Sequence, residues 1–230
     1  MEFIILLIIV IVMYLILRFI FDFNMKKIKE LGEDKELDEL TQRYPENMEI
    51  CKWYLKKLKN ENVKIEEDKN SNSTLYLVMS NKIFIANLKE SYTRIQTIAH
   101  ECLHSIQSKK LLWFNFIFSN IYLVYFGVIC ILALLKLLPM KMTFLAIFIV
   151  FSLVYYAVRT YLENDAMIKA RFLAKEYMQE EAISTQEEID RIVNKYDELN
   201  DIGIKCTNFK FLSSILIKVI ILIVIFGYWI

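Results

Sequence analysis

Both histidines of this 230-residue chain fall in one pentad, His100-Glu101-Cys102-Leu103-His104. The pattern is H-E-x-x-H. On a helix, residues i and i+4 share a face one turn apart, so the two imidazoles can hold one Zn²⁺ between them. The glutamate between them can then reach a water on the metal and act as its general base. The histidine chemistry of the chain lies in these five residues or nowhere.

A catalytic zinc takes three protein donors and keeps one position open. With no third histidine, the third donor is expected to be a carboxylate. After His104 the chain runs through two long apolar stretches that turn near Pro139. The first acids met on return are Glu163 and Asp165. Glu163 is the favoured donor; Asp165 is the alternative, or a partner that orients a histidine ring. Of the cations near the pentad, Lys89 and Arg94 are expected to be solvated, with capture of a substrate carboxylate or oxyanion as the other reading. Tyr155, Tyr156 and Tyr161 read as interfacial anchors rather than oxyanion donors.

The elements that must position these groups follow from spacing. Ser91 is expected to cap a helix that runs through the pentad to about Gln107, with Ile95, Ile98, Ala99, Cys102, Leu103 and Ile106 on its apolar faces. Ahead of it, Asn47–Asn60 has helical spacing. Val63–Ile65, Leu75–Met79 and Ile83–Ala86 read as strands, separated by turns at Asp68–Ser73 and Ser80–Lys82. A strand beside the metal helix either pairs with an extended substrate or only shields the helix. Ser184–Glu188 looks like a capping box that opens a later helix, with Ile189, Ile192, Val193 and Tyr196 on one face.

The chain is 56% hydrophobic, with only four glycines and two prolines and a mean hydropathy of +0.36. That is too apolar for an ordinary soluble domain. Four stretches are long enough to cross a bilayer, which takes about 20 apolar residues: Phe3–Phe21, a span within Leu111–Leu138, Met142–Leu162, and Phe211–Ile230. The first has Glu2, no basic residue ahead of it and no small-residue cleavage site behind it, so it reads as an anchor. The net charge of +1 leaves no electrostatic footprint for nucleic acid. The lysines are unevenly placed. Lys26, Lys27, Lys29, Lys109, Lys110, Lys205 and Lys210 flank one side of the spans, against Lys136 and Lys141 on the other. By the positive-inside rule both termini lie outside, and residues 22–110 and 163–210 are cytoplasmic. The division expected is an anchor (1–21), a catalytic portion with the pentad helix (22–110), a two-span hairpin (111–162), a helical segment carrying the third donor (163–210) and a last span (211–230). Cys51, Cys102, Cys130 and Cys206 have no C-x-x-C spacing and read as unpaired packing residues in a reducing compartment.

These features resemble the bacterial membrane-bound neutral zinc metallopeptidases, the YugP-like family, and more distantly the HtpX-like gluzincins. The likeness covers most of the chain. It rests on an N-terminal span, Val63-Lys64-Ile65-Glu66, the strands before the pentad, His-Glu-x-x-His followed by Ser105-Ile106-Gln107, the two-span hairpin, Glu163-x-Asp165-Ala166 with Ala170 beyond, Ser184–Glu188 and a last span. The resemblance implies one zinc per chain held by His100, His104 and Glu163, with Glu101 as base. Two positions depart from it. The family usually has glycine before its second histidine, where this chain has Leu103. Gluzincins often place aspartate four residues after the glutamate donor, where this chain has Met167, so Asp165 would stand in.

The expectation is therefore a mainly α, multi-pass membrane protein with four transmembrane helices and a small α+β, zincin-like cytoplasmic portion. It would be a zinc metallopeptidase of the bacterial cytoplasmic membrane, acting on a protein or peptide substrate from the cytoplasmic face. The alternative is a non-catalytic or non-peptidase metal-binding membrane protein that keeps the fold. A di-iron bundle needs a second Glu-x-x-His, which is missing. An intramembrane protease would carry the pentad within a span, and Ser91–Lys110 is too polar for one.

Overall fold

The computed structural model describes the chain except Met1, residues 22–24, Lys69, Asn70, Asn72, Lys89, Trp229 and Ile230. The described residues form eight helices and one three-stranded sheet: α1 (Glu2–Ile20), α2 (Met25–Gly32), α3 (Lys35–Gln42), α4 (Asn47–Lys57), β1 (Lys64–Asp68), β2 (Leu75–Leu77), β3 (Lys82–Ala86), α5 (Arg94–Ile106), α6 (Lys109–Leu134), α7 (Lys141–Glu181) and α8 (Gln186–Tyr228). The mainly helical architecture expected from the scarcity of glycine and proline is present. α1, α6, α7 and α8 are each long and apolar enough to cross a membrane. α7 and α8 run well past their apolar stretches without a break; at 1.5 Å per residue each is about 60 Å long, twice a bilayer core. The chain divides into two compact units, one of residues 1–23, 113–161 and 205–230, the other of residues 24–112 and 162–204.

The second unit carries the pentad. Its sheet has the order β1-β3-β2, with β1 parallel and β2 antiparallel to β3. The turn into β3 passes through Asn81 in the left-handed region (φ 46°), which asparagine tolerates better than most residues. Behind the sheet lies a core of spaced apolar positions. α5 buries Ile95, Ile98, Ala99, Cys102 and Leu103, and α4 buries Ile50, Cys51, Tyr54 and Leu55. The segment of α7 in this unit buries Ala166, Ala170, Leu173, Ala174, Tyr177 and Met178. These are i, i+3, i+4 stripes, so the apolar faces of the helices meet. Cys51 and Cys102 face each other with sulfurs 3.6 Å apart and, like Cys130 and Cys206, are unpaired. The capping box is present: Glu188 N–H donates to the Thr185 hydroxyl, and Thr185 N–H to the Glu188 carboxylate.

Two local expectations need correction. α5 begins at Arg94, and its N-cap, Thr93, makes no side-chain cap. Ser91 lies in the turn before it, where its hydroxyl accepts from Thr93 N–H. The short hydroxyl satisfies the turn rather than the helix. Arg94 is not solvated: it is fully buried. Its guanidinium donates to the carbonyls of Thr41, Tyr44 and Pro45 and to the Asn47 side chain at 2.8–2.9 Å. The Thr41 carbonyl, in the last turn of α3, also accepts the Tyr44 N–H at 3.2 Å. Tyr44 and Pro45 lie past the end of the helix, where Arg94 supplies a donor to their carbonyls. Lys89 lies outside the described residues.

In the first unit the four long apolar helices bury Val10, Tyr122, Ile129, Leu145, Phe148, Leu216, Leu222 and Phe226 together. Tyr122 stacks between Phe148 and Tyr155, with ring centroids 5.1 and 4.9 Å away. Tyr155 is thus a packing residue here, and Tyr161 is exposed.

Candidate metal centre

α5 places His100 and His104 one turn apart on the face opposite its core stripe. Their Nε2 atoms are 3.0 Å from each other. α7 brings Glu163 to the same point: its Oε2 lies 3.5 Å from His100 Nε2 and 3.6 Å from His104 Nε2. His100, His104 and Glu163 form the one group of three donor atoms, among the described residues, close enough together to hold a metal ion. The fit can be tested against the metal expected. A tetrahedral zinc with donors at about 2.0–2.1 Å has donor–donor edges of about 3.4 Å, and the three edges here bracket that length. Two imidazoles and one carboxylate, partly buried, are also the donor chemistry zinc accepts.

Glu101 points to the same place from between the histidines. It is almost wholly buried. Its Oε2 accepts the backbone N–H of Tyr76, in β2, at 2.6 Å, while Oε1 lies 4.0 Å from His100 Nε2. The sheet therefore has a definite role here: β2 anchors one oxygen of Glu101 and leaves the other facing the donor group. Burial pushes the Glu101 carboxyl above its ordinary value; the two histidines and the Tyr76 N–H offset this only in part. A carboxylate so raised binds a proton more readily.

The other titrations follow the same charges. Burial would push the Glu163 carboxyl up, but its hydrogen bonds to His100 and His104 and their charge outweigh it, holding Glu163 well below the usual carboxylate range. Burial would push His104 down, but Glu163 and Glu101 overcome it and the net shift is upward.

Asp165 is not in the donor group. Its carboxylate is paired with Lys169 at 2.5 Å and accepts from Gln107 Nε2 at 3.1 Å. Gln107 Nε2 also donates to the Leu162 carbonyl at 2.8 Å, and Gln107 Oε1 lies 2.9 Å from His104 Nδ1. Asp165 thus reaches the histidine through an intervening amide. Spacing alone assigns Gln107 no role. The available signal is that it lies three residues past His104, on the same helical face.

Comparison with protein-family models, with curated proteins and with solved structures finds no match to this chain.

Proposed function

We propose that this protein is an integral-membrane zinc metallopeptidase that hydrolyses peptide bonds, with His100, His104 and Glu163 as zinc donors and Glu101 as general base. The observation that carries the reading is the convergence of three donor atoms within 3.6 Å of one another, with a buried, base-disposed carboxylate beside them. The H-E-x-x-H pentad and its resemblance to membrane-bound zinc peptidases supply the reaction class.

Bound there, a zinc ion would supply Lewis-acid chemistry, lowering the pKa of a water and polarising the scissile carbonyl. The protein's own part is proton handling and orientation. Tyr76 N–H occupies Glu101 Oε2, so Oε1 is the oxygen free to take the water's proton. The same oxygen can then return the proton to the leaving amine. Burial of Glu101 keeps bulk water from competing for that proton. The four apolar helices support a membrane location, and the lysine asymmetry supports a catalytic portion facing the cytoplasm of a bacterial cell.

The test is zinc content and peptide hydrolysis of the purified protein against Glu101→Gln. The variant should retain one zinc per chain and lose activity by about 10²–10⁴-fold. Near-wild-type cleavage by Glu101→Gln would remove Glu101 as base. Zinc-loaded wild type without peptidase activity would favour the non-peptidase alternative.

A further inference from the structure

The geometry points to Gln107 as the positioning residue that sets the tautomer of His104 and fixes the turn of α7 bearing Glu163. This rests on the metal reading proposed above and goes beyond the donor set itself. Gln107 Nε2 has two partners, the Leu162 carbonyl at 2.8 Å and an Asp165 carboxylate oxygen at 3.1 Å. Both are pure acceptors, so the NH₂ end of the amide must face them. That fixes the carbonyl end, Oε1, against His104 Nδ1 at 2.9 Å. A carbonyl oxygen cannot donate, so Nδ1 carries the proton. In the neutral ring the other nitrogen, Nε2, then holds the lone pair, and Nε2 is the atom aimed at His100 and Glu163. One amide orientation therefore leaves His104 ready to coordinate.

The same side chain has a second effect. Leu162 and Asp165 flank Glu163 in α7, and Gln107 bonds to both while standing just past the end of α5. It ties the turn that carries the carboxylate donor to the helix that carries the imidazoles. Lys169, paired with Asp165 at 2.5 Å, holds the acceptor in place. Asp165 and Lys169 thus act on the site through Gln107.

The experiment uses the full-length protein in detergent, labelled with ¹⁵N-histidine at a pH where both rings are neutral. Only two histidines exist, so four ring nitrogens report. In metal-free wild type, His104 should show a protonated Nδ1 and an unprotonated Nε2. Gln107→Glu keeps an acceptor at the Oε1 position and should keep that pattern. Gln107→Leu removes the acceptor and should lose it. Both variants lose the donors to Leu162 and Asp165, so both should bind zinc more weakly by competition with a chelator, by about 10–100-fold. Gln107 is half-buried just past the end of α5 and is not part of the apolar core, so neither change should unfold the chain. A His104 proton on Nε2 in metal-free wild type, or wild-type zinc affinity in Gln107→Leu, overturns the assignment. If wild type binds no zinc, the proposed function fails; the nitrogen pattern in wild type and the two variants then decides the role of Gln107 by itself.

Discussion

The two units treat their polar and apolar groups in opposite ways. In the unit that holds the pentad, the core is apolar, and single polar side chains within or beside it serve several partners at once. Arg94 serves four acceptors, and Gln107 serves three groups at once. In the unit of the four long apolar helices, large apolar residues face outward: Phe19 is 87% exposed, Ile4 65% and Val124 64%. That outward face is what hydrocarbon solvent requires, since lipid tails are as apolar as leucine. The difference teaches where polarity is spent. One unit uses buried polar contacts to specify geometry; the other needs few, because helices already satisfy their own backbone.

The largest expected effect tests the specified geometry at its centre. Glu163→Ala removes one of three donors and should leave a protein that loses zinc on dialysis against a chelator. Asp165→Ala removes only a partner of Gln107 and should cost about 10–100-fold in affinity. The comparison breaks if Asp165→Ala empties the site while Glu163→Ala keeps its metal, because the donor would then be the wrong acid.

A smaller effect tests specification away from the metal. Arg94→Met keeps most of the buried volume but removes the guanidinium donor of the Tyr44 and Pro45 carbonyls and of the Asn47 side chain, while the Thr41 carbonyl keeps the Tyr44 N–H. A buried neutral acceptor left without a donor costs about 1–3 kcal/mol. Thermal unfolding of the variant in detergent should show this as a marked drop in stability. An unchanged midpoint would mean that the α3–α4 connection relaxes to water and that Arg94 specifies nothing.

Most of the fold and the heart of the site can be read from the sequence because they rest on local pattern. The four long helices are apolar runs with few polar interruptions, such as Lys218. The core face of α5 is a 3.6-residue stripe, and Thr185 with Glu188 forms a box whose two partners lie three residues apart. The pentad places two imidazoles by helical geometry alone. What the sequence does not show is set by partners far along the chain. Arg94 bonds to a connection some fifty residues earlier, Glu101 to a backbone N–H in β2, and Gln107 to a helix more than fifty residues later. No periodicity encodes such pairs. The start of α5 is missed for a related reason: Ser91 and Thr93 compete for the same turn, and their hydroxyls bond to each other at 2.8 Å.

The smallest expected effect sharpens the contrast from the side of the spans. The Tyr122 and Ser152 hydroxyls lie 3.2 Å apart, and Ser152 also reaches the Phe148 carbonyl in its own helix at 2.7 Å. This contact joins α6 to α7 and is buried among apolar side chains. By intuition it should be worth more than its counterpart in water, since the alternative is an unmet hydroxyl in hydrocarbon. Two facts lower its value. Ser152 keeps its carbonyl partner when Tyr122 is changed, so no donor is stranded. Hydrogen bonds between transmembrane helices average only about 0.6 kcal/mol, because the chain inserted in the membrane also finds partners. Tyr122→Phe keeps the stack with Phe148 and Tyr155 and deletes only the hydroxyl. It should therefore shift stability by about 0.6 kcal/mol, several-fold less than Arg94→Met in the other unit. Equal losses for the two variants, measured by unfolding in the same detergent, would show that the apolar helices depend on polar specification as much as the unit with the pentad does.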